Sequence, residues 1–192
     1  MKRSPTQHPQ GVRRQMFTRI NVLVLRVVLI LAWAVAAPAW AKTMHGVVIV
    51  VIDGDTVLFK PDRYRPSSRA FLKIRLADID APESDQPYGA DAAHALAAWV
   101  LHRRVAIDTV ATDIYGRTIA HIRVGEREVG AEMVQGGFAW AAARARRTSE
   151  LAAAQRRAQL AGRGLWQDNA PLPPWVWRRT HPAPGHESGR RM

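Results

Sequence analysis

From Ile74 to Glu83 the chain reads IRLADIDAPE, an apolar run suited to a buried strand that nonetheless carries Arg75, Asp78, Asp80 and Glu83. Charge in such a place is costly unless it is paired or ligates a metal. Two more carboxylates stand in DGDT, Asp53 to Thr56, and a second arginine in DIYGR, Asp113 to Arg117. Each group alone has an ordinary reading. Asp-Gly between apolar runs is a hairpin signal, and an arginine beside carboxylates is a salt bridge. Together they are the parts for phosphodiester hydrolysis. Two carboxylates, a backbone carbonyl and water make a Ca²⁺ or Mg²⁺ site. Such a metal polarises a phosphoryl oxygen, and paired arginine N–H donors hold the added negative charge. A spare carboxylate takes or orients a proton of water.

The elements that must position these groups can be read from periodicity. His45 to Lys60 gives two strands of a meander flanking the Asp-Gly turn. After a polar loop, Pro61 to Ser68, a third strand over Arg69 to Ile79 alternates, with Phe71, Lys73 and Arg75 on one side and Leu72, Ile74 and Leu76 on the other. If strands two and three pair, Asp55 and Asp80 meet at one end. The same alternation puts Asp78 on the face of Asp80, and Asp53 on that of Asp55. Only one of each pair need be a ligand, the other capping a turn; Asp53, Asp78 and Asp85 are read as structural or surface residues.

Ala92, Leu96, Trp99 and Val100 then recur at helical spacing. Two strands follow, Arg104 to Asp113 and Arg117 to Val124, split by a turn at Tyr115-Gly116. A short helix around Ala131 to Gln135 stops at Gly136-Gly137, and a last one runs from Ser149 to Ala161 before Gly162 and Gly164. Three strands, a helix, two strands and further helices are the order of an OB-fold. The expected fold class is mainly β with helices (α+β), a five-stranded Greek-key barrel with about three helices. Trp99, Trp140 and Trp166 are read as core.

Composition bounds the rest. The 192 residues include 28 Lys+Arg, 16 Asp+Glu and no cysteine. Residues 1–41 hold six basic residues and no acidic one, then the apolar Val27 to Ala37 and the small-residue Ala39 to Ala41. That is the layout of a secretory signal peptide cleaved after Ala41, the apolar run being short for a membrane anchor of about 20 residues. Removing those six charges from the 28 leaves 22 basic and 16 acidic residues in Lys42–Met192, a net charge of +6. An exported, basic, monomeric protein of the periplasm or medium is expected, with an anionic partner. Residues 42–166 would be the domain, and 167–192 a proline-rich tail with a disordered end. His94, His102 and His121 lack zinc spacing and no cysteine is present, which excludes a structural zinc site. No glycine-rich nucleotide loop occurs. Arg144, Arg146 and Arg147 are a basic cluster, either a solvated charge run or a nucleic-acid-binding strip.

VIDGDTV, IRLADIDAPE, QPYGADA, DIYGR, VQGGFAW and GRGLW stand in the order and spacing of the thermonuclease family. From about His45 to Trp166 the chain resembles these staphylococcal-nuclease-like OB-fold enzymes, and PPWVWRR, Pro174 to Arg179 with the preceding proline, resembles the segment that ends many bacterial members. The resemblance implies that Asp55 and Asp80 ligate Ca²⁺ with the backbone carbonyl of Ala81, where many relatives have Thr. It implies that Glu83 is the general base or positions the water, and that Arg75 and Arg117 bind phosphate. It implies a hydrolase, an endonuclease acting on DNA and RNA and leaving 3′-phosphate ends. Where family members carry two nucleotide-packing tyrosines this chain has Ala143 and Ala145. The alternative is a non-catalytic OB module that binds nucleic acid, which would have no use for all five of Asp55, Arg75, Asp80, Glu83 and Arg117.

Overall fold

The computed structural model describes residues 43–63, 70–143, 145 and 149–182. The expected signal peptide, the polar loop from residue 64 on with Arg69 at the start of the expected third strand, Arg144, Arg146, Arg147 and the end of the tail lie outside the described residues.

Strands β1 (Thr43–Val51), β2 (Thr56–Pro61) and β3 (Leu72–Leu76) pair consecutively and antiparallel, the meander that the sequence predicts. A two-residue strand, β4 (Ile79–Asp80), follows β3. Helix α1 (Gly89–Val100) then leads to β5 (Arg104–Thr112) and β6 (Thr118–Val124). β5 pairs with β1 and β6, and β6 returns parallel to β3. That last pairing closes a five-stranded barrel and leaves no long unpaired edge. The order is the OB-fold Greek key.

Alternation decides what the barrel buries. Ile74 and Leu76 of β3 point inward while Lys73 is exposed. They meet Val48, Val57, Phe59, Ile107 and Ile122 in one cluster, each full burial stabilising by about 1.5–3 kcal/mol. From α1, Ala92, Leu96 and Val100, spaced four apart, enter the same cluster. β7 (Arg127–Glu128) pairs with the end of β6 and leads into α2 (Val129–Gly136). The Glu128 carboxylate caps α2 by accepting from the N–H groups of Gly130 and Ala131. β8 (Trp140–Ala141) pairs with β4, and α3 (Ser149–Leu160) lies beside α2. Trp140 is buried, edge-on to Trp166 at 5.4 Å, as the core reading expects.

Two features depart from the sequence reading. The alternation of the third strand breaks at Asp78, whose φ of 60° is left-handed. Asp78 therefore turns away from the face of Asp80, and its carboxylate lies 3.5 Å from His121. The second departure is a fourth helix, α4 (Pro174–Thr180), in the stretch read as a tail. Pro174 sits in its first turn, where a missing N–H costs nothing and the fixed φ helps. The segment is tied to the barrel side. Gln86 Nε2 donates to the Leu172 carbonyl at 2.5 Å, Trp177 Nε1 donates to Asp85 at 3.2 Å, and Trp175 lies edge-on to Trp140 at 6.3 Å. Among the described residues no helix is long and apolar enough to cross a membrane.

Candidate active site

The pairing of β2 with β3 sets Thr56 opposite Arg75, so Asp55, just before β2, falls beside the end of β3. The backbone then delivers Asp80 to the same place through β4. Arg75 joins the two carboxylates: Nη1 donates to Asp55 Oδ2 at 2.7 Å and Nη2 to Asp80 Oδ1 at 2.8 Å. One planar fork spans acidic groups 25 positions apart, a geometry that an ammonium cannot copy. Asp55 also accepts from the Ala81 N–H at 3.1 Å and from the Thr56 hydroxyl at 2.9 Å.

The Asp-Gly turn works differently from the hairpin its sequence suggests. Gly54 does not adopt the left-handed backbone of an Asn-Gly or Asp-Gly turn. It is needed for space, since a Cβ there would come within 2.6 Å of the Ala92 Cβ and 2.7 Å of the Ala81 Cβ. Asp53 caps the turn, its Oδ1 accepting from the Asp55 N–H at 2.9 Å.

Glu83 is held through its backbone and its tip. Its carbonyl accepts from Gln86 N at 3.0 Å, and its own N–H donates to Gln86 Oε1 at 3.2 Å. Gly89 lies so close that a Cβ would stand 1.9 Å from the Glu83 carbonyl oxygen. Gly89→Ala must therefore move the backbone that carries Glu83. Thermal melting should show a loss of about 1–3 kcal/mol, the usual cost of overpacking, and turnover should fall further than stability. Unchanged melting and turnover would show that this contact does not position Glu83.

Arg117 reaches the same cleft from the far side. Asp113 shapes its turn, accepting from the N–H groups of Tyr115 at 3.0 Å and Arg117 at 2.9 Å and from Arg117 Nε at 2.7 Å. The guanidinium lies 5.6 Å from the centre of the exposed Tyr115 ring. A cleft of about 610 Å³ is lined by Asp55, Arg75, Ala81, Glu83 and Arg117, together with Asp53, Thr56, Lys73, Tyr115 and Arg178. Asp80 and Ala143 line an adjoining cleft of about 290 Å³ with Arg75 and Trp175. Ala145 is buried. Asp55, Arg75, Asp80, Ala81, Glu83 and Arg117 are thus brought to one place, whereas Asp78 and Asp85 are not. Asp55 and Asp80 belong to no larger ligand cluster: among the described residues no three His, Asp or Glu side chains could hold a metal together.

Sequence reasoning assigned no role to Arg178. From α4 its Nη1 donates to Glu83 Oε1 at 2.5 Å and to Asp80 Oδ1 at 3.2 Å, and its Nη2 to Asp80 Oδ2 at 2.8 Å. Partial burial pulls its pKa down, but the bonds to Asp80 and Glu83 outweigh that and hold it above the ordinary arginine value. The available signal was Pro-Pro ahead of two tryptophans and two arginines, a helix start followed by apolar and cationic positions. Nothing local says that this helix docks 95 residues back, on Glu83.

Electrostatics in the cleft are strained at Asp55. Burial raises its pKa to about 7, with Arg75 offsetting part of the rise and Asp53 and Asp80 adding repulsion.

Residues 73–168, half of the chain, match the family model described as staphylococcal nuclease homologue. Protein ParB of Escherichia coli is 38% identical over 156 residues, 76% of this chain and 84% of its own length. An uncharacterized endonuclease of Haemophilus influenzae is 33% identical, over 83% of this chain and 87% of its own. A protein named micrococcal nuclease from Shigella flexneri is 33% identical, over 76% and 86%. With the OB barrel and the cleft already described, these matches show that the chain belongs to the staphylococcal nuclease homologue family and is a phosphodiester hydrolase of that type.

Proposed function

We propose that this nuclease is an exported, Ca²⁺-dependent endonuclease that cuts DNA, RNA or both to 3′-phosphate ends. The observation that carries the reading is the single guanidinium joining Asp55 and Asp80, at 2.7 and 2.8 Å, beside Glu83 and Arg117 in one cleft. The donor set fits a divalent cation. Both carboxylates supply hard oxygens, and Ala81, whose N–H donates to Asp55, lies beside that carboxylate in the same cleft wall. Asp55, Asp80 and the Ala81 carbonyl would hold the ion. A flexible all-oxygen site completed by water suits Ca²⁺ better than octahedral Mg²⁺. When bound, the ion supplies Lewis acidity toward a phosphoryl oxygen.

The chain's own residues do the remainder. Arg75 and Arg117 donate paired N–H groups to the phosphate and to the charge that builds on it. Glu83 accepts or orients a proton of the attacking water. Lys73 and the arginines give the cleft its attraction for a polyanion. Tyr115, 71% exposed at its mouth, offers an aromatic face to a base. A non-catalytic binding module would leave Glu83 and Arg117 without use.

Purified protein should degrade denatured DNA with Ca²⁺ and stop when a Ca²⁺-selective chelator is added. Its products should prime a polymerase only after phosphatase treatment. Full activity in chelator would overturn the metal assignment, and directly extendable products the 3′-phosphate one. Export rests on the charge and hydropathy pattern of residues 1–41. Amino-terminal sequencing of exported protein should begin at Lys42; an intact leader retained in the membrane would overturn it.

A further inference from the structure

The carboxylates proposed to hold the cation are already engaged. Asp80 accepts from two guanidiniums, Arg75 on Oδ1 and Arg178 on both oxygens. A cation bound at Asp80 needs at least one of them to give way. The two differ in how firmly they are held. Arg75 extends from β3, which is paired on both sides within the barrel, and its side chain is 19% exposed. Arg178 extends from a seven-residue helix near the end of the described chain, and its side chain is 45% exposed. The more weakly anchored partner is the one to yield. Its second bond, to Glu83, can persist, because Glu83 lies outside the carboxylate pair that Arg75 spans.

Resting on the calcium nuclease reading above, we propose that Arg178 positions Glu83 for the reaction and competes with the divalent cation for Asp80. It is a positioning residue supplied by α4. In the metal-free protein it serves as a counter-ion that keeps Asp80 and Glu83 aligned. When the cation arrives, Arg178 leaves Asp80 and retains Glu83. The cation therefore binds more weakly than two buried carboxylates would otherwise allow, and the general base stays aligned in both states.

The test is calorimetric titration of Ca²⁺ alone into wild type, Arg178→Gln and Arg178→Lys, without nucleic acid, followed by steady-state kinetics. Removing the competitor should tighten Ca²⁺ binding about 5-fold or more, the low end of coupling between two ligands. The same Arg178→Gln protein should lose about 10–10² in kcat at saturating Ca²⁺, the scale of a misplaced catalytic group, with KM changed far less. Arg178→Lys, which keeps the charge on a single donor nitrogen, should recover part of both effects. Lys73→Gln removes a charge from the same cleft without a bond to Asp80 or Glu83 and should leave Ca²⁺ affinity within about 2-fold, because an exposed charge is largely screened. If Arg178→Gln loosens α4, Trp175→Ala, which undercuts the helix but keeps Arg178, shows what loosening alone does. Unchanged or weaker Ca²⁺ binding by Arg178→Gln, tighter binding shared equally by Lys73→Gln, or a kcat that falls only as stability falls would each overturn the inference. A wild-type protein that binds no Ca²⁺ would instead overturn the calcium reading on which it rests.

Discussion

Glu83→Gln is expected to lose about 10²–10⁴ in turnover, the usual worth of a positioned general base, while still binding Ca²⁺ and DNA. The substitution is nearly isosteric. An amide oxygen at the same place can accept from Arg178 Nη1, and the backbone bonds to Gln86 do not involve the side-chain tip. Folding and the shape of the cleft should therefore survive. What disappears is the ability to take a proton from water. Single-turnover kinetics at saturating Ca²⁺, beside calorimetric Ca²⁺ binding, separate chemistry from affinity. Asp55→Ala supplies the contrast, since it should weaken Ca²⁺ binding directly. Near wild-type turnover in Glu83→Gln would remove Glu83 from the base role, and loss of its Ca²⁺ binding would make it a ligand instead.

Arg75→Lys should lose about 10²–10³ in turnover, the cost of removing one preorganised donor to a developing oxyanion. It should also lose some stability, because a single ammonium cannot donate along both arms to Asp55 and Asp80. Leaving a buried acceptor unpaired costs about 1–3 kcal/mol, so the rate must be measured well below the melting transition of the variant. Arg117→Lys gives the cleaner test. Among the described residues Arg117 makes one side-chain ion pair, to Asp113, and its side chain is 29% exposed. Pairs of that kind are worth about 0–1 kcal/mol, yet the same loss in turnover is expected if Arg117 grips phosphate. Arg123 on β6, paired with Asp108 of β5 outside the cleft, is the control, and Arg123→Lys should be nearly silent. Activity lost in all three only in proportion to stability would end the phosphate-binding assignment of Arg75 and Arg117.

The barrel and most of the cleft were legible because they rest on short-range rules. Period-two alternation in β3 sets Ile74 and Leu76 inward and Arg75 toward the cleft. Four-residue spacing in α1 buries Ala92, Leu96 and Val100. Once the meander is granted, adjacency of β2 and β3 brings Asp55 and Asp80 together. These relations need only neighbouring elements, and the sequence states them directly.

What the tertiary structure decided lies where a choice depends on distant atoms. Asp78 was expected on the face of Asp80, but a left-handed residue there rotates it toward His121, and no pattern of types marks that turn. Gly54 looked like a hairpin glycine and is instead a glycine of close approach, because Ala81 and Ala92 from later elements press against it. Arg178 is the largest case. Its segment reads as proline-rich tail, yet helix α4 docks through Trp175 and Trp177 and places a second guanidinium on Asp80 and one on Glu83. Residues 80 and 178 meet through packing of two elements with no periodic relation to each other. Sequence by itself determined the OB barrel and the set of carboxylates and arginines, since types and local spacing carry that information; only the folded chain decided which cations those carboxylates hold, because that depends on which surfaces pack together.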